Sequence, residues 1–260
     1  TNTYSYLPES AAVRDGAYSD STWTRYNPDR RIISKSVMSS GGTQRTNRYT
    51  YPSDHPGQYR WMIDRHIMSP VVTDEVCSGT LRRTTRNTYS SHDSHNGPIC
   101  FLSRVETSFG TDGTKKTDYE ALSVDEWGNP TEIVEDGVHS VLQWCGSGQR
   151  LMTRVEGITL EEYEALPELS GAAGQLSDDH AVFPFIPDPV KRSLGGRLVW
   201  DYAYDPSLRL IQVMTPDELI SRYSYDALGR LSEESFYETD NEGNVEKKIV
   251  RKYSYHYHND

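Results

Sequence analysis

A nine-residue stretch, YSYDALGRL at 223–231, limits what this chain can fold into more than any other feature. Tyr223 and Tyr225 alternate with a serine, so both rings lie on one face of a predicted strand. Asp226 follows directly, and an aspartate side chain can accept hydrogen bonds from backbone amides two residues on. Gly229 can adopt the positive φ of a tight turn. The stretch therefore predicts a strand, a turn and a second, returning strand.

Degenerate copies of this stretch flank it. Residues 202–210, YAYDPSLRL, keep both tyrosines, the aspartate and the arginine, but Leu208 stands where the turn glycine would be. Residues 124–130 keep the aspartate and the glycine, and residues 144–151 keep an aromatic residue and a glycine around Cys145. The residues that carry the repeat signature are Tyr202, Tyr204, Asp205, Tyr223, Tyr225, Asp226, Gly229, Arg230, Asp125 and Gly128.

The spacing of the copies indicates how the units stack. Asp125 and Cys145 are 20 residues apart, and Asp205 and Asp226 are 21 apart. A fixed period near 20 with one turn per unit is typical of stacked β-hairpins, which bury their apolar faces against their neighbours. The 18 tyrosines and 19 glycines agree with many short strands joined by turns.

The charge of the chain is unevenly distributed. Residues 1–110 hold 13 Lys and Arg against 10 Asp and Glu, a net charge of +3, whereas residues 111–260 hold 14 against 28, a net charge of −14. This balance argues against DNA or an anionic membrane as the partner, because a phosphate-binding face needs clustered cations. No apolar run approaches 18 residues, so no membrane span is predicted, and no signal peptide is recognisable within the chain.

The pattern along the chain predicts four regions. They are an irregular N-terminal segment at 1–22, a repeat region at 23–158, an insertion at 159–195 and C-terminal repeats at 196–260 that continue the same sheet. Within the repeat region, Asp136-Gly137 predicts a tight hairpin over 130–144, and residues 59–68 are compatible with either helix or strand.

The insertion breaks the β pattern. Thr159 and Glu162 form a capping box for a short helix, and a loop rich in Gly, Ala, Ser, Asp and Pro follows over 170–195. Because neither part can continue a β ladder, we expect the insertion to leave the sheet and to cover it as a lid or plug.

The signature resembles that of the YD-repeat, or rearrangement-hotspot (RHS), family. YTYPSD (49–54), VETSFG (105–110) and DEWGNPTEI (125–133) are similar to the C-terminal part of the repeat region in Bacteroidetes-type RHS-repeat proteins. The resemblance implies mostly β structure, with antiparallel hairpins winding into a spiralling, solenoid- or cocoon-like shell that carries one short helical insertion. It also implies a bacterial protein that is secreted or displayed at the cell surface.

The chain departs from toxin-carrying members of that family at the self-cleaving motif DPxGxxGG. Its nearest string is DPVKRSLGG at 188–196, where Lys191 replaces a glycine. His92, Asp93 and His95 lie close together in sequence, but no third metal ligand follows at a recognisable spacing. No GxSxG, GxxxxGK[ST] or strand-associated GxGxxG motif occurs. We therefore predict no catalytic residue, no cofactor and no metal site.

Three functions follow as hypotheses. The first is a non-enzymatic scaffold that pairs with other parts of a larger RHS shell or encloses a partner polypeptide. The second is a carbohydrate-binding or adhesive module, for which Trp23, Trp61 and Trp127 are the candidate contacts because they recur less regularly than the signature tyrosines. The third is a hydrolase with an unrecognised site.

Overall fold

The computed structural model describes residues 10–15, 18–28, 31–38, 42, 44–94, 97–110, 114–145, 147–166, 194–239 and 245–255. Within these residues it places a 3-10 turn (Pro52–Asp54) and the helices α1 (Pro56–Asp64) and α2 (Leu160–Glu164). The strands of the same residues are β1 (Ser10–Asp15), β2 (Tyr18–Tyr26), β3 (Ile32–Met38), β4 (Gln44–Thr50), β5 (Thr73–Ser78), β6 (Leu81–Ser94), β7 (Gly97–Phe109), β8 (Lys115–Val124), β9 (Pro130–Glu135), β10 (Val138–Trp144), β11 (Leu151–Glu156), β12 (Leu198–Tyr204), β13 (Leu210–Met214), β14 (Ile220–Tyr225), β15 (Leu231–Thr239) and β16 (Val245–Lys252).

The strands form antiparallel pairs in chain order, each hydrogen-bonded to the next from β1 to β16. The predicted fold class, mostly antiparallel β, is thereby confirmed. The chain divides into two compact units, Thr1–His92 with Pro98–Glu120, and Asp93–Gly97 with Ala121–Asp260.

The structure differs from the sequence-based expectation near the N-terminus and at residues 59–68. The segment 1–22 was expected to be irregular, yet β1 and the first part of β2 form a paired ladder within it. A single helical insertion was expected, whereas α1 adds a second helix that begins with Pro56, whose fixed φ suits the first helical turn.

The first unit has a small core under α1. Tyr59 and Met62 of this helix are fully buried against Val72, and the Tyr59 ring lies edge-on to the ring of Tyr89 at 6.2 Å between centroids. The Tyr59 hydroxyl also donates a hydrogen bond to the carbonyl of Asn87. Packing against the sheet therefore decides the helical conformation that the sequence pattern left open.

The second unit has its core where α2 packs on the sheet. Val141, Val155 and Val199 of adjacent strands are buried together with Tyr163 of α2. Burial and the neighbouring Asp201 carboxylate raise the pKa of the Tyr163 hydroxyl. The helix therefore lies firmly on this face of the unit.

Two local predictions in the second unit are confirmed. Asp136 and Gly137 both have positive φ, 50° and 84°, and join β9 to β10. The capping box at α2 forms, with the Thr159 hydroxyl accepting from the amide of Glu162.

The insertion interrupts the chain without interrupting the ladder, because β11 pairs directly with β12. Leu194, at the return to the sheet, is fully buried in the same core as α2. Residues 167–193 of the insertion at 159–195 lie outside the described residues. The assignment of the insertion as a lid or plug therefore stays a prediction.

Candidate functional site

The repeat turn is best seen at Asp226, between β14 and β15. The Asp226 amide donates to the carbonyl of Arg230 at 2.8 Å, and the Gly229 amide donates to the carbonyl of Asp226 at 2.9 Å. The Asp226 side chain accepts through Oδ1 from the amides of Leu228 and Arg230, both at 2.9 Å. One carboxylate thus closes the whole five-residue turn.

The arginine of the signature completes the turn with its side chain. Arg230 donates from Nε to Asp226 Oδ2 at 2.8 Å, and a second guanidinium nitrogen lies 2.7 Å from the same oxygen. The backbone and side-chain hydrogen bonds from Arg230 lower the pKa of Asp226. Gly229 has a φ of 78°, as its place in the turn predicts.

The turn at Asp205 repeats this geometry. Its Oδ1 accepts from the amides of Ser207 and Arg209 at 2.8 and 3.0 Å, and Arg209 donates from Nε to Oδ2 at 2.7 Å. Leu208 occupies the glycine position with a φ of 64°, a left-handed conformation that costs a side-chain-bearing residue about 1–2 kcal/mol. The hydrogen bonds of the aspartate therefore impose the turn even without glycine.

The turn at Asp125 uses an amide in place of the guanidinium. Asp125 Oδ1 accepts from the amides of Trp127 and Asn129 at 2.9 and 2.8 Å. Asn129 donates from Nδ2 both to Asp125 Oδ2 at 3.1 Å and to the carbonyl of Gly148 at 2.7 Å. Because Gly148 belongs to the following repeat turn, this asparagine links two consecutive turns.

Cys145 takes the aspartate position of that following turn. Its amide donates to the carbonyl of Arg150, one residue further on than in the other turns, and the Gly148 amide donates to the Cys145 carbonyl. Burial raises the pKa of the Cys145 thiol, but hydrogen bonds from Ser147, Arg150 and Gln149 outweigh burial and lower the pKa. The Cys145 thiol therefore occupies the position that the aspartate carboxylate takes in the turns at Asp205 and Asp226, and hydrogen-bond donors surround it there too.

Sequence reasoning missed two turns of the same kind. Between β2 and β3, Asn27 donates from its amide to the carbonyl of Arg31, whose amide donates to Asn27 Oδ1, both at 2.9 Å. Between β13 and β14, the Thr215 amide donates to the carbonyl of Leu219, with Glu218 at a φ of 64°. Asparagine and threonine in place of aspartate, and no glycine at the positive φ of Glu218, hid these turns.

An aromatic side chain from the following repeat fastens the turns at Asn27, Asp125, Cys145, Asp205 and Asp226. The Tyr225 hydroxyl donates to the carbonyl of Leu210, the first residue after the Asp205 turn, at 2.7 Å. The Tyr255 hydroxyl donates likewise to Leu231 at 2.9 Å. We call this contact the aromatic tie. The other ties join Tyr51 to Ile32 (2.7 Å), Trp144 to Pro130 (2.8 Å) and Tyr204 to Leu151 (3.0 Å).

The turn arginine lies over the ring that makes the tie. The guanidinium carbon of Arg230 is 4.1 Å from the centroid of the Tyr255 ring, and that of Arg209 is 4.8 Å from the centroid of Tyr225. Such cation–π contacts contribute about 0.5–1 kcal/mol at exposed sites. Each arginine therefore connects its own turn to the following repeat.

The signature tyrosines fall into two groups. Tyr204 and Tyr225 make ties, whereas Tyr202 and Tyr223 lie two residues earlier on the strands, half-buried. Desolvation raises the pKa of Tyr202 and of Tyr223. The structure thus brings the other signature residues together in the turns and ties, and places Tyr202 and Tyr223 on the strands beside them.

The three candidate tryptophans lie on different elements. Trp23, on β2, is 40% exposed. Trp61, on α1, is half-buried beside the core of the first unit, with Arg65 over its ring. Trp127 is half-buried over Gly148, where an added Cβ would come within 2.4 Å of its ring. Trp23 is the most accessible of the three.

The histidines considered in the sequence are not assembled into a site within the described residues. His92 and Asp93 are adjacent on β6, so their side chains point to opposite faces, and His95 lies outside the described residues. The part of the chain that the structure describes contains no group of three His, Cys, Asp or Glu side chains placed to hold a metal ion.

Comparison with known families agrees with the repeat geometry. Residues 197–235, which include the turns at Asp205 and Asp226 with the tie between them, match the RHS Repeat family. This segment is an RHS repeat, and the resemblance inferred from the signature is confirmed. No curated protein matches the chain.

Solved structures show weaker likenesses. The crystal structure of TcdB2-TccC3-Cdc42 matches with a TM-score of 0.36 and 10% identity, over 88% of this chain and 12% of that one. The Photorhabdus luminescens Tc holotoxin pore matches with the same TM-score and identity, over 95% and 14%. A porin-like protein from Bacteroides uniformis matches with a TM-score of 0.26 and 10% identity, over 92% of each chain.

The chain spans about an eighth of the length of the two Tc structures that it matches. Neither helix in the described part of the chain has the length and apolar character that crossing a membrane requires.

Proposed function

We propose that the chain is a non-enzymatic segment of a bacterial RHS-type shell, at the cell surface or secreted, which displays or encloses a partner polypeptide. The observation that carries the proposal is the aromatic tie, which recurs from repeat to repeat with different residues but the same geometry. A hydrogen bond that fastens a turn to the following repeat suits a sheet built from stacked repeats.

The chemistry of the signature supports a structural role. Asp226 is held by two amides and a guanidinium, and its lowered pKa keeps it ionised at neutral pH. A general acid at neutral pH needs a raised pKa, and a general base must be free to reach a substrate proton. The carboxylates of Asp205 and Asp226 meet neither requirement, because the pKa of each is lowered and the turn already engages their oxygens.

The partners that we propose are other parts of the same shell or a polypeptide inside it. Proteolysis of the full-length native protein tests this. After exhaustive digestion and removal of the protease, denaturation should release a polypeptide that had been protected, identified by mass spectrometry.

The control is the same digestion after the shell has been unfolded in urea, when no polypeptide should survive. A shell that resists the protease while nothing is protected inside it would contradict enclosure. Steady turnover of a substrate by the isolated chain would contradict the non-enzymatic assignment.

A further inference from the structure

The strand β16 stands at one end of the ladder and has an open edge. Its residues pair with β15 from Glu233 opposite Lys252 to Thr239 opposite Val245. Along an antiparallel strand, the backbone groups that bond to one neighbour alternate with groups that point away from it. Among the strands that the structure describes, β15 alone pairs with β16. The outward amides and carbonyls of β16 therefore offer a template for one further strand.

The open edge is basic. The sequence of β16, VEKKIVRK, holds four Lys or Arg and one Glu, a net charge of +3 within a chain whose net charge is −11. The side chains of Arg251 and Lys252 are 68% and 66% exposed, and that of Lys247 is 41% exposed. Because neighbouring residues of a strand point to opposite faces, a strand that joins this edge meets positive charge on either face.

The strand that already pairs with β16 is acidic. The sequence of β15, LSEESFYET, holds three glutamates and no Lys or Arg. Glu233 forms ion pairs with Lys247 and, at 3.9 Å, with Lys252, and Glu234 lies 3.9 Å from Arg251. Opposite charges on directly paired residues stabilise antiparallel strands, and like charges destabilise them. The structure thus contains one example of a strand that β16 accepts, and that strand is negatively charged.

The chain after β16 keeps the repeat geometry as far as the next turn position. Residues 253–256, YSYH, repeat three of the four residues of YSYD at 223–226. Tyr255 makes an aromatic tie to Leu231, as Tyr225 does two strands earlier. Beyond the tie of Tyr225, a further strand, β15, pairs with β14. The edge of β16 therefore corresponds to the edge of β14 that another strand covers.

We propose that the open edge of β16 is an interaction surface for an acidic β-strand from another part of the RHS-type shell. The added strand extends the sheet by backbone hydrogen bonds, as in other cases of strand addition. Its glutamates or aspartates pair with Arg251 and Lys252, on the two faces of the sheet. This inference rests on the proposed function, since the shell supplies the partner.

The charge of the edge disfavours a second copy of the same chain as the partner. Two β16 edges would place lysines and arginines opposite one another, which destabilises the pair. The strand at the other end of the described ladder, β1 with the sequence SAAVRD, has one Arg and one Asp and no net charge. Lysines on an edge strand also hinder its pairing with unselected strands. The basic residues of β16 therefore select for an acidic partner.

Fluorescence anisotropy with the whole chain tests the proposal. The acidic probe is a labelled peptide with the sequence of β15, LSEESFYET, and the comparison peptide, LSQQSFYQT, has glutamine in place of its three glutamates. We expect the acidic peptide to bind at least about tenfold more tightly than the glutamine peptide. Added salt should weaken the binding of the acidic peptide, because its contacts are ionic.

Hydrogen exchange read by mass spectrometry shows where the peptide binds. Amides of Val245–Lys252 that point away from β15 should become protected when the acidic peptide is added. Amides of Leu231–Thr239 should keep their protection, since the peptide adds beside β16 and does not replace β15. This pattern distinguishes strand addition from a loose ionic contact.

Charge reversal on the edge gives a second test. R251E/K252E should weaken binding of the acidic peptide by about tenfold or more, and should favour a peptide with lysines in place of the three glutamates. The matched control is K115E/K116E on β8, because these lysines are similarly exposed, at 52% and 60%, and each also contacts one carboxylate. R251Q/K252Q adds no charge beside the glutamates of β15 and should change binding in the same direction, so a misfolded reversal variant does not leave the proposal untested.

Several results would overturn the proposal. These are equal binding of the acidic and the glutamine peptides, binding without new protection of the β16 amides, equal losses in the control and in the edge variants, or self-association of the free chain that R251E/K252E abolishes, which would make a second copy the occupant. The release of a protected polypeptide after digestion depends on none of these results, so a failure here is distinguishable from a failure of the proposed function.

Discussion

The hydroxyl of Tyr225 donates a hydrogen bond of 2.7 Å to the carbonyl oxygen of Leu210, 15 residues earlier in the chain. Leu210 is the first residue of the strand that leaves the Asp205 turn, and Tyr225 is the last residue before the Asp226 turn. The contact therefore joins the end of one repeat to the beginning of another.

Removing that hydroxyl should destabilise the fold. Tyr225→Phe keeps the ring under Arg209 but loses the hydrogen bond, and we expect the free energy of unfolding to fall by about 1 kcal/mol. Urea denaturation measures it. Tyr223→Phe is the control, because no hydrogen bond of the Tyr223 hydroxyl to a turn is present within the described residues. Equal losses in the two variants would contradict the structural importance of the tie.

The carboxylate of Asp226 should make stability depend on pH. Its pKa is lower in the folded chain than in the unfolded chain, so its contribution is present above the unfolded pKa of about 4 and is lost as the pH falls through the folded pKa. We expect Asp226→Asn to lower stability at pH 7 and to flatten the fall in stability under acid. Urea midpoints from pH 7 to about 2 test this.

Glu126→Gln is a suitable comparison for Asp226→Asn, because Glu126 is an exposed carboxylate inside another repeat turn. Its stability should follow that of the parent chain across the same pH range. Identical acid profiles for the parent chain and Asp226→Asn would show that the turn carboxylate is not the titrating group.

Substitutions at two turn glycines can separate the cost of backbone strain from the cost of overpacking. Gly148 and Gly137 both have positive φ, 67° and 84°, but an added Cβ at Gly148 meets the Trp127 ring at 2.4 Å, whereas nothing lies within 4 Å at Gly137. Both alanine variants should be destabilised, and Gly148→Ala by about 1–3 kcal/mol more, the usual cost of overpacking. Calorimetric melting of the pair measures the difference. Equal losses would mean that Trp127 moves aside freely.

The glycine position of the turn can be tested in both directions. Leu208 holds a φ of 64°, and Leu208→Gly should raise the free energy of unfolding by about 1 kcal/mol, since glycine adopts this conformation without a Cβ clash. Gly229→Val should lower it by more than about 1 kcal/mol, because a β-branched residue is strongly disfavoured at a φ of 78°. Denaturation midpoints decide both. A stabilised Gly229→Val chain would refute the turn geometry.

The sequence could predict the elements whose stability is local. The Asp136-Gly137 hairpin, the capping box of α2 and the positive φ of Gly229 each depend on a few neighbouring residues. Their patterns could therefore be interpreted without the rest of the chain.

The sequence could not predict features that depend on residues far apart. The helix α1 is decided by the burial of Tyr59 and Met62 against the sheet. The aromatic ties join residues 14 to 53 positions apart. The shared burial of Val141, Val155 and Val199 depends on strand register, since a shift of one residue would send each side chain to the other face.

The aromatic ties run in one direction along the chain, because the residue that fastens a turn always comes after it. A turn made during synthesis must therefore wait for its partner to leave the ribosome. For the Asp205 turn the wait from Leu210 to Tyr225 is 15 residues. For the Cys145 turn it is 53 residues, from Leu151 to Tyr204, because the insertion must be made first. At ordinary rates of translation that turn stays unfastened for about 3 to 10 s, the longest such interval among the five ties.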